Sequence, residues 1–403
     1  MTLKQWFEKA AGYFQRQEFE GEGSVSRKLE ELQRIASDPK RQERAAAYLL
    51  DRDRHVRHKA VSILAGQERL CLNPAQQNVF LVSTGDWEGL RRLEAKELIE
   101  AWEKEDSLSP GGFWTLYLLA SLERLGGQAE EPLAEMAEDS SRRMNTRIAA
   151  LWALGLRGAQ DRLPTMRSVL TRDRNQRMRL AAVQACRFLG GSALDCLTDL
   201  LAWPDPDPEV LAASARSLGW HGAASVERLR PLLDSRERLV REQAALALLY
   251  TAEAEGLAAV AGLLSSETDG QLRSLVNRFL KALAGQALSM ADLADSGYAA
   301  GLYRSDSLLR VLQLMEDEQV LVICLLALAN TADSRSVRPL MDIGMAGGSD
   351  MLMAEAWMAL SRLADTDSGR DGLDFGLHHG DMFSRFWAGL AMLMAGLNPL
   401  ESL

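Results

Sequence analysis

"DRDRHVRHKAVSIL", residues 51–64, reads in two ways. Its histidines, His55 and His58, stand three apart among basic residues, a pattern that suits a metal site or a phosphate clamp. Its apolar residues, Val56, Ala60, Val61 and Leu64, fall at positions 0, 4, 5 and 8, the spacing of one face of a helix. The rest of the chain decides between the two, because the skeleton V-R-x-x-A-V-x-x-L returns while the histidines do not. Taking Val56 as a marker, close copies start at Thr146, Met178, Val210, Val240 and Leu272, separated by 32, 32, 30 and 32 residues. Looser copies start at Leu90, Trp114, Val320, Met351 and Met382.

A period of about 31 residues running through most of a 403-residue chain marks a repeat array, in which each unit buries its apolar faces against its neighbours. A second apolar segment precedes each marker, as in "DRLPTMRSVL" and "DCLTDLLA", so each unit reads as a helical hairpin. Asp53, Asp207, Asp269 and Asp317 stand three residues before their markers, where a carboxylate caps the free N–H groups of a new helix. Glycine-containing breaks such as "LGLRGAQD", "LGGSALD" and "LGWHGAAS" end that helix and turn the chain. The expected fold is all-α: an α-solenoid of about ten to eleven stacked helical hairpins, a HEAT-like or armadillo-type superhelix. Its expected organisation is an amphipathic helix with capping helices over 1–50, repeats over 51–285, and an irregular repeat with Met-rich repeats over 286–403, continuous with the array.

The hairpin with D-x-x-V-R-x-x-A-V-x-x-L at its second helix resembles the short HEAT repeats also found in phycobilin lyases and many bacterial scaffold proteins. The resemblance covers roughly residues 50–395, is strongest over 139–285, and is specific for fold rather than activity. It implies a solenoid whose second helices line the concave face.

The formal charge is −10, unevenly placed: residues 1–200 carry 30 Lys/Arg against 29 Asp/Glu, residues 201–403 carry 16 against 27. An acidic second half repels phosphate polyanions, so extended nucleic-acid binding is not expected and a protein or peptide partner is favoured. Cys71, Cys186, Cys196 and Cys324 form no CxxC pair and read as reduced thiols. The longest apolar stretch, "FSRFWAGLAMLMAGL" at 383–397, contains Arg385 and is too short to span a bilayer. The expected location is the cytoplasm.

Arg57, Arg91, Arg147, Arg179, Arg241 and Arg273 share the position after the marker and form a ladder in a stacked array. The ladder reads either as an anion-binding row or, preferably, as a set of structural pairings with neighbouring cap aspartates. His55 and His58 have no third ligand at their position in any other copy, and His378, His379 and Asp381 in "LHHGDM" sit in an expected loop without a spaced partner, so no metal site is expected. No catalytic motif and no cofactor fingerprint is found.

Positions +2 and +6 from the marker are expected to face the concave groove, since 0, 4, 5 and 8 fill the core. In the middle repeats this stripe includes Arg216 and Arg278; in the last repeats it reads Val322, Leu326, Met353 and Trp357, without charge. An open apolar floor marks a partner site. These six residues are the expected partner-binding set. The final helix, around Phe383, Phe386, Trp387 and Leu390, reads as a cap or as a contact through which a homo-oligomer forms. The amino-terminal face of Leu3, Phe7, Ala10 and Phe14 reads as a cap or a docking helix.

The leading functional reading is a non-catalytic scaffold or adaptor gripping a protein or peptide in its groove. The alternatives are a phycobilin-lyase-like enzyme or chromophore-handling protein, and a nucleic-acid binder using the arginine ladder.

Overall fold

The structure is a computed structural model. It describes residues 22–51, 53–65, 70–84, 92–94, 96–98, 100–101, 122, 126–189, 191, 193–201, 207–266, 269–285, 302–346, 349–380 and 382–399. The amino-terminal amphipathic segment, Arg91, Trp114, Asp381 and the segment 286–301 lie outside the described residues. So do the side chains of His55, His58, Met382 and Phe383.

Every long element among the described residues is a helix, and the fold is an all-α solenoid of HEAT-like hairpins. It divides into two compact units, the first comprising residues 1–136 and 140–149, the second 137–139 and 150–403. In the first, α1 (Glu22–Ala36), α2 (Arg54–Leu64) and α3 (Pro74–Thr84) are ordered along the chain, with a 3-10 segment, Pro39–Tyr48, between α1 and α2. Leu32, Ile35, Ala45, Leu49, Val56, Ala60 and Leu64 form their core, so the apolar spacing of residues 51–64 is core spacing.

The regular array follows as α4 (Glu130–Glu138), α5 (Met144–Leu156), α6 (Leu163–Arg172), α7 (Gln176–Phe188), α8 (Ala193–Leu201), α9 (Pro208–Gly219), the short α10 (Val226–Leu229), α11 (Arg238–Tyr250), α12 (Ala254–Ser266) and α13 (Gly270–Ala284). It continues as α14 (Ser305–Leu314), α15 (Glu318–Thr331), α16 (Val337–Met345), α17 (Asp350–Ser361), α18 (Asp367–His379) and α19 (Met382–Met394). Marker residues Met178, Val210, Val240, Leu272 and Val320 are all buried. Asn175 caps the helix of Met178 and Glu237 at that of Val240 makes no side-chain cap bond, while the three aspartate caps behave alike. Asp207 accepts from the Glu209 N–H, Asp269 from those of Gln271 and Leu272, and Asp317 from those of Gln319 and Val320.

The caps also join repeats. Arg179 Nη2 lies 3.2 Å from Asp207 Oδ2, Arg278 Nε lies 2.8 Å from Asp317 Oδ2, and Arg238 pairs with Asp269. Each carboxylate thus begins its own helix and receives a cation from the preceding hairpin. Replacing Asp317 by Ala is expected to cost about 1–2 kcal/mol, and by Asn much less, because Asn keeps the cap and loses only an exposed ion pair worth under ~1 kcal/mol. Urea denaturation of the two variants measures the difference; equal losses would remove the cap as the main contribution.

Inner helices approach closely where small residues meet. A Cβ on Gly219 of α9 would stand 2.9 Å from Ala247 Cα of α11, and one on Gly155 of α5 would stand 2.5 Å from Ala185 O of α7. Both glycines lie nine residues after their markers, so the same tight crossing recurs.

The inner row then closes on itself. Helix α15 packs against α11 as well as α13, and α17 packs against α15 and α19. Both α15 and α17 are buried on all sides, from Val320 to Ala329 and from Met353 to Ser361. A helix that is apolar all round belongs in an interior. The curve of the second unit is therefore filled by its own later helices.

Candidate functional site: a buried charge cluster at the closed centre

The expected partner-binding stripe is not an open floor. Val322, Leu326, Met353 and Trp357 are 5, 3, 3 and 0% exposed. Two physical reasons account for this. Positions +2 and +6 of α15 do face inward, but α11 and α17 cover them. In α17 the cap is Ser349, whose hydroxyl accepts from the Leu352 N–H, so the marker is Leu352 and the phase moves by one residue. Trp357 then sits at +5, a core position. Its ring lies between α16 and α18, and its Nε1 donates to Gly344 O at 3.1 Å.

Arg216 and Arg278, the charged members of that stripe, have different fates. Arg278 is exposed and pairs with the next cap, as above. Arg216 points into the centre of the second unit, where Glu355 of α17 is fully buried. Arg216 Nη2 donates to Glu355 Oε1 at 2.9 Å and Arg187 Nη2, from α7, donates to Oε2 at 3.2 Å. The partners are 139 and 168 residues apart, so these bonds tie the early repeats to the late ones. Burial raises the Glu355 pKa, but the two guanidiniums outweigh it and hold the carboxyl below its ordinary range.

The carboxyl ends of the inner helices meet beside this triad. Arg362, just past α17, donates to Trp220 O at 2.9 Å and to Asn330 Oδ1 at 3.1 Å, and Asn330 Nδ2 donates to Tyr250 O at 2.7 Å. Donors and a cation at helix carboxyl ends satisfy the last carbonyls and suit the negative pole of the dipole. The Trp220 ring carries the Arg187 guanidinium 4.1 Å from its centre and that of Arg362 at 5.4 Å. Burial, together with Arg362 and Arg187, pushes His221 down to about 4.

The arginine ladder has no single geometry. Arg57 is 2% exposed and reaches back to Asp51 O at 2.8 Å; Arg241 reaches back to Ser235 O at 2.9 Å. Both thereby brace the loop that precedes their own helix, whereas Arg179 meets the next repeat's cap. Arg147 is buried and Arg273 exposed.

His378 and His379 lie on the last turn of α18 rather than in a loop, and His379 stacks on Phe375 with ring centres 4.5 Å apart. Among the described residues no group of three or more His, Cys, Asp or Glu could hold a metal ion. Cys186, Cys196 and Cys324 are buried and Cys71 is exposed. Phe386, Trp387 and Leu390 of α19 are buried within the chain. No helix among the described residues is long and apolar enough to cross a membrane.

Residues 130–205 and 195–281 match the family of HEAT repeats. No curated protein matches the chain. Among solved structures, the chain is similar to an engineered protein, at 18% identity and a TM-score of 0.33, over 88% of this chain and 98% of that one. It is also similar to a structure of Kap95p with RanGDP, at 13% identity and a TM-score of 0.32, over 93% of this chain and 52% of that one.

Sequence reasoning passed over Glu355, although a signal was present. Counted from Met351, Glu355 falls on the +4 position that in the close copies holds Ala, Ser or Val, and from the Leu352 marker it falls on +3, buried all the same. An acid at a core position of a HEAT repeat requires buried cations as partners.

Proposed function

We propose that the chain is a non-catalytic scaffold that carries a protein partner on the outer side of its last repeats rather than within its curve. The observation that supports this reading is the filled centre. With α15 and α17 packed into the curve and Glu355 engaged by Arg187 and Arg216, the surface left for a partner is that of the outer helices and loops. Two large apolar side chains stand out there, Leu314 at 72% exposure on α14 and Phe375 at 44% on α18. Acids outnumber bases in this part of the chain, 14 Asp/Glu against 7 Lys/Arg over 302–403, with Asp371 exposed on α18, while Asp306 and Asp342 pair with Arg335 and Arg338. An excess of acids around apolar anchors suits a basic partner, attracted over distance and held by contact.

Affinity purification of the intact chain with mass spectrometry, run beside a Leu314→Asp/Phe375→Asp variant of unchanged helicity, tests the reading. The expected result is a basic protein recovered with the natural chain at low salt and at least tenfold depleted with the variant. Equal recovery would move the partner off this face; no stoichiometric protein under any salt condition would end the scaffold reading.

A chromophore-handling role gains no support from the central cleft bounded by Arg187, Arg216, Trp220, Tyr250, Leu326 and Asn330, which has no room for a tetrapyrrole.

A further inference from the structure

Two buried thiols meet across one hairpin. Cys186 stands five residues before Gly191 and Cys196 five after it, so the return of α8 along α7 brings them to one level. There the Cys186 thiol donates a hydrogen bond to the Cys196 sulfur. A third helix takes part, since Arg167 of α6, which pairs with Asp199 of α8 at 2.9 Å, also donates to Cys196. Cys324 differs: burial holds its thiol well above the ordinary range.

The two sulfurs are not equivalent. The hydrogen bond from Cys186, supported by Arg167, outweighs burial and lowers the Cys196 pKa, while the same bond and burial raise that of Cys186. Cys196 is therefore the better nucleophile, and Cys186 keeps its proton. Exposure divides the same way, with none at Cys186 and 4% at Cys196, beside an Arg167 side chain that is itself 56% exposed. Access of that kind suits an oxidant little larger than water and excludes a protein thiol. Hydrogen peroxide meets the requirement.

We propose that Cys186 and Cys196 form a peroxide-oxidised pair, joined reversibly by a disulfide that staples α7 to α8. The Cys196 thiolate attacks one peroxide oxygen, the O–O bond breaks, and the departing hydroxide takes up a proton to leave as water. Cys196 is then a sulfenic acid. The Cys186 sulfur attacks the sulfenic sulfur, the S–O bond breaks, and the hydroxyl leaves with the Cys186 proton as a second water. The two sulfurs give up two electrons and peroxide accepts them; a small dithiol returns them and becomes a disulfide itself. The partner surface proposed above is on α14 and α18, so either idea can fail without the other.

The test treats the reduced full chain with hydrogen peroxide at neutral pH, blocks the remaining thiols and digests with trypsin. Cleavage after Arg179, Arg187 and Arg216 puts Cys186 and Cys196 on separate peptides, 180–187 and 188–216. These are expected to be recovered linked, two hydrogens lighter than their sum, from a chain of unchanged helicity, and to separate on dithiol treatment. Exposed Cys71 is the yardstick for dose. Cys186→Ala is expected to stop at a Cys196 sulfenic acid captured by dimedone, and Cys196→Ala to slow oxidation of Cys186 at least tenfold. Arg167→Gln, a change at an exposed side chain that keeps the test open if the alanine variants do not fold, is expected to slow linkage about fivefold. No linkage at a dose that oxidises Cys71, sulfenic acid on Cys186 in place of Cys196, or full-rate linkage in Arg167→Gln would overturn the site.

Discussion

Glu355→Gln is expected to lower the folding stability of the second unit by about 3–5 kcal/mol, because it leaves Arg187 and Arg216 buried without their carboxylate. A buried ion pair adds little compared with an apolar replacement of the whole set, but removing one member exposes the full desolvation penalty of the others. Glu355 is fully buried and bonded by both arginines; Arg187 is buried with it and Arg216 is partly buried, so solvent relieves little of the loss at Arg187. Urea denaturation followed by circular dichroism measures it, and a loss under ~1 kcal/mol would show that water reaches the triad. The same carboxyl gives a pH signature. Its folded pKa lies below the ordinary 4.5, so its contribution is present above about 4.5 and is lost as pH falls through the folded value. The natural chain should therefore lose stability on acidification below that point more steeply than Glu355→Gln does.

Trp357→Ala is expected to cost a similar amount, about 3–5 kcal/mol, for the different reason that it empties a fully buried indole site. The neighbouring glycines make the site rigid. A Cβ on Gly376 would lie 2.2 Å from Trp357 Cη2, and one on Gly344 would lie 2.6 Å from Cε2. The ring is held by α16 on one side and α18 on the other, so little collapse can refill the space. Gly376→Ala tests the same packing from the opposite direction and is expected to cost about 1–3 kcal/mol by overpacking. Combining Gly376→Ala with Trp357→Phe, which withdraws the crowded edge, should cost less than the sum of the two. Strict additivity of that pair would mean that ring and glycine do not share one space.

The hairpin array was legible because burial of an apolar face leaves a period in the residues that perform it. Val210, Val240, Leu272 and Val320 carry that period, and Asp207, Asp269 and Asp317, three before the first, third and fourth, mark where their helices start. What the period does not contain is how far the row curves. Val322 and Leu326 look the same in the sequence whether they line an open trough or are covered by another helix, since both require only the absence of charge. The all-round apolar run of α15, Val320–Ala329, is the sign that another layer lies over it. At Trp357 the error was smaller and more specific: a serine cap replaced the usual aspartate, the phase slid by one residue, and a core position was read as a groove position. The triad escaped notice because its members are 168 residues apart, and only the fold brings Arg187 to Glu355.

That same long-range bond changes how the molecule comes apart. Repeats that touch only their neighbours can fray from an end, one hairpin after another, each loss independent of the far side. Once α17 is clasped to α7 and α9, the terminal hairpins lose that freedom. Folding must close a loop of more than a hundred residues before the clasp rewards it, which slows the search and makes the transition concerted. The second unit trades the gradual unravelling of a chain of beads for the single opening of a latch.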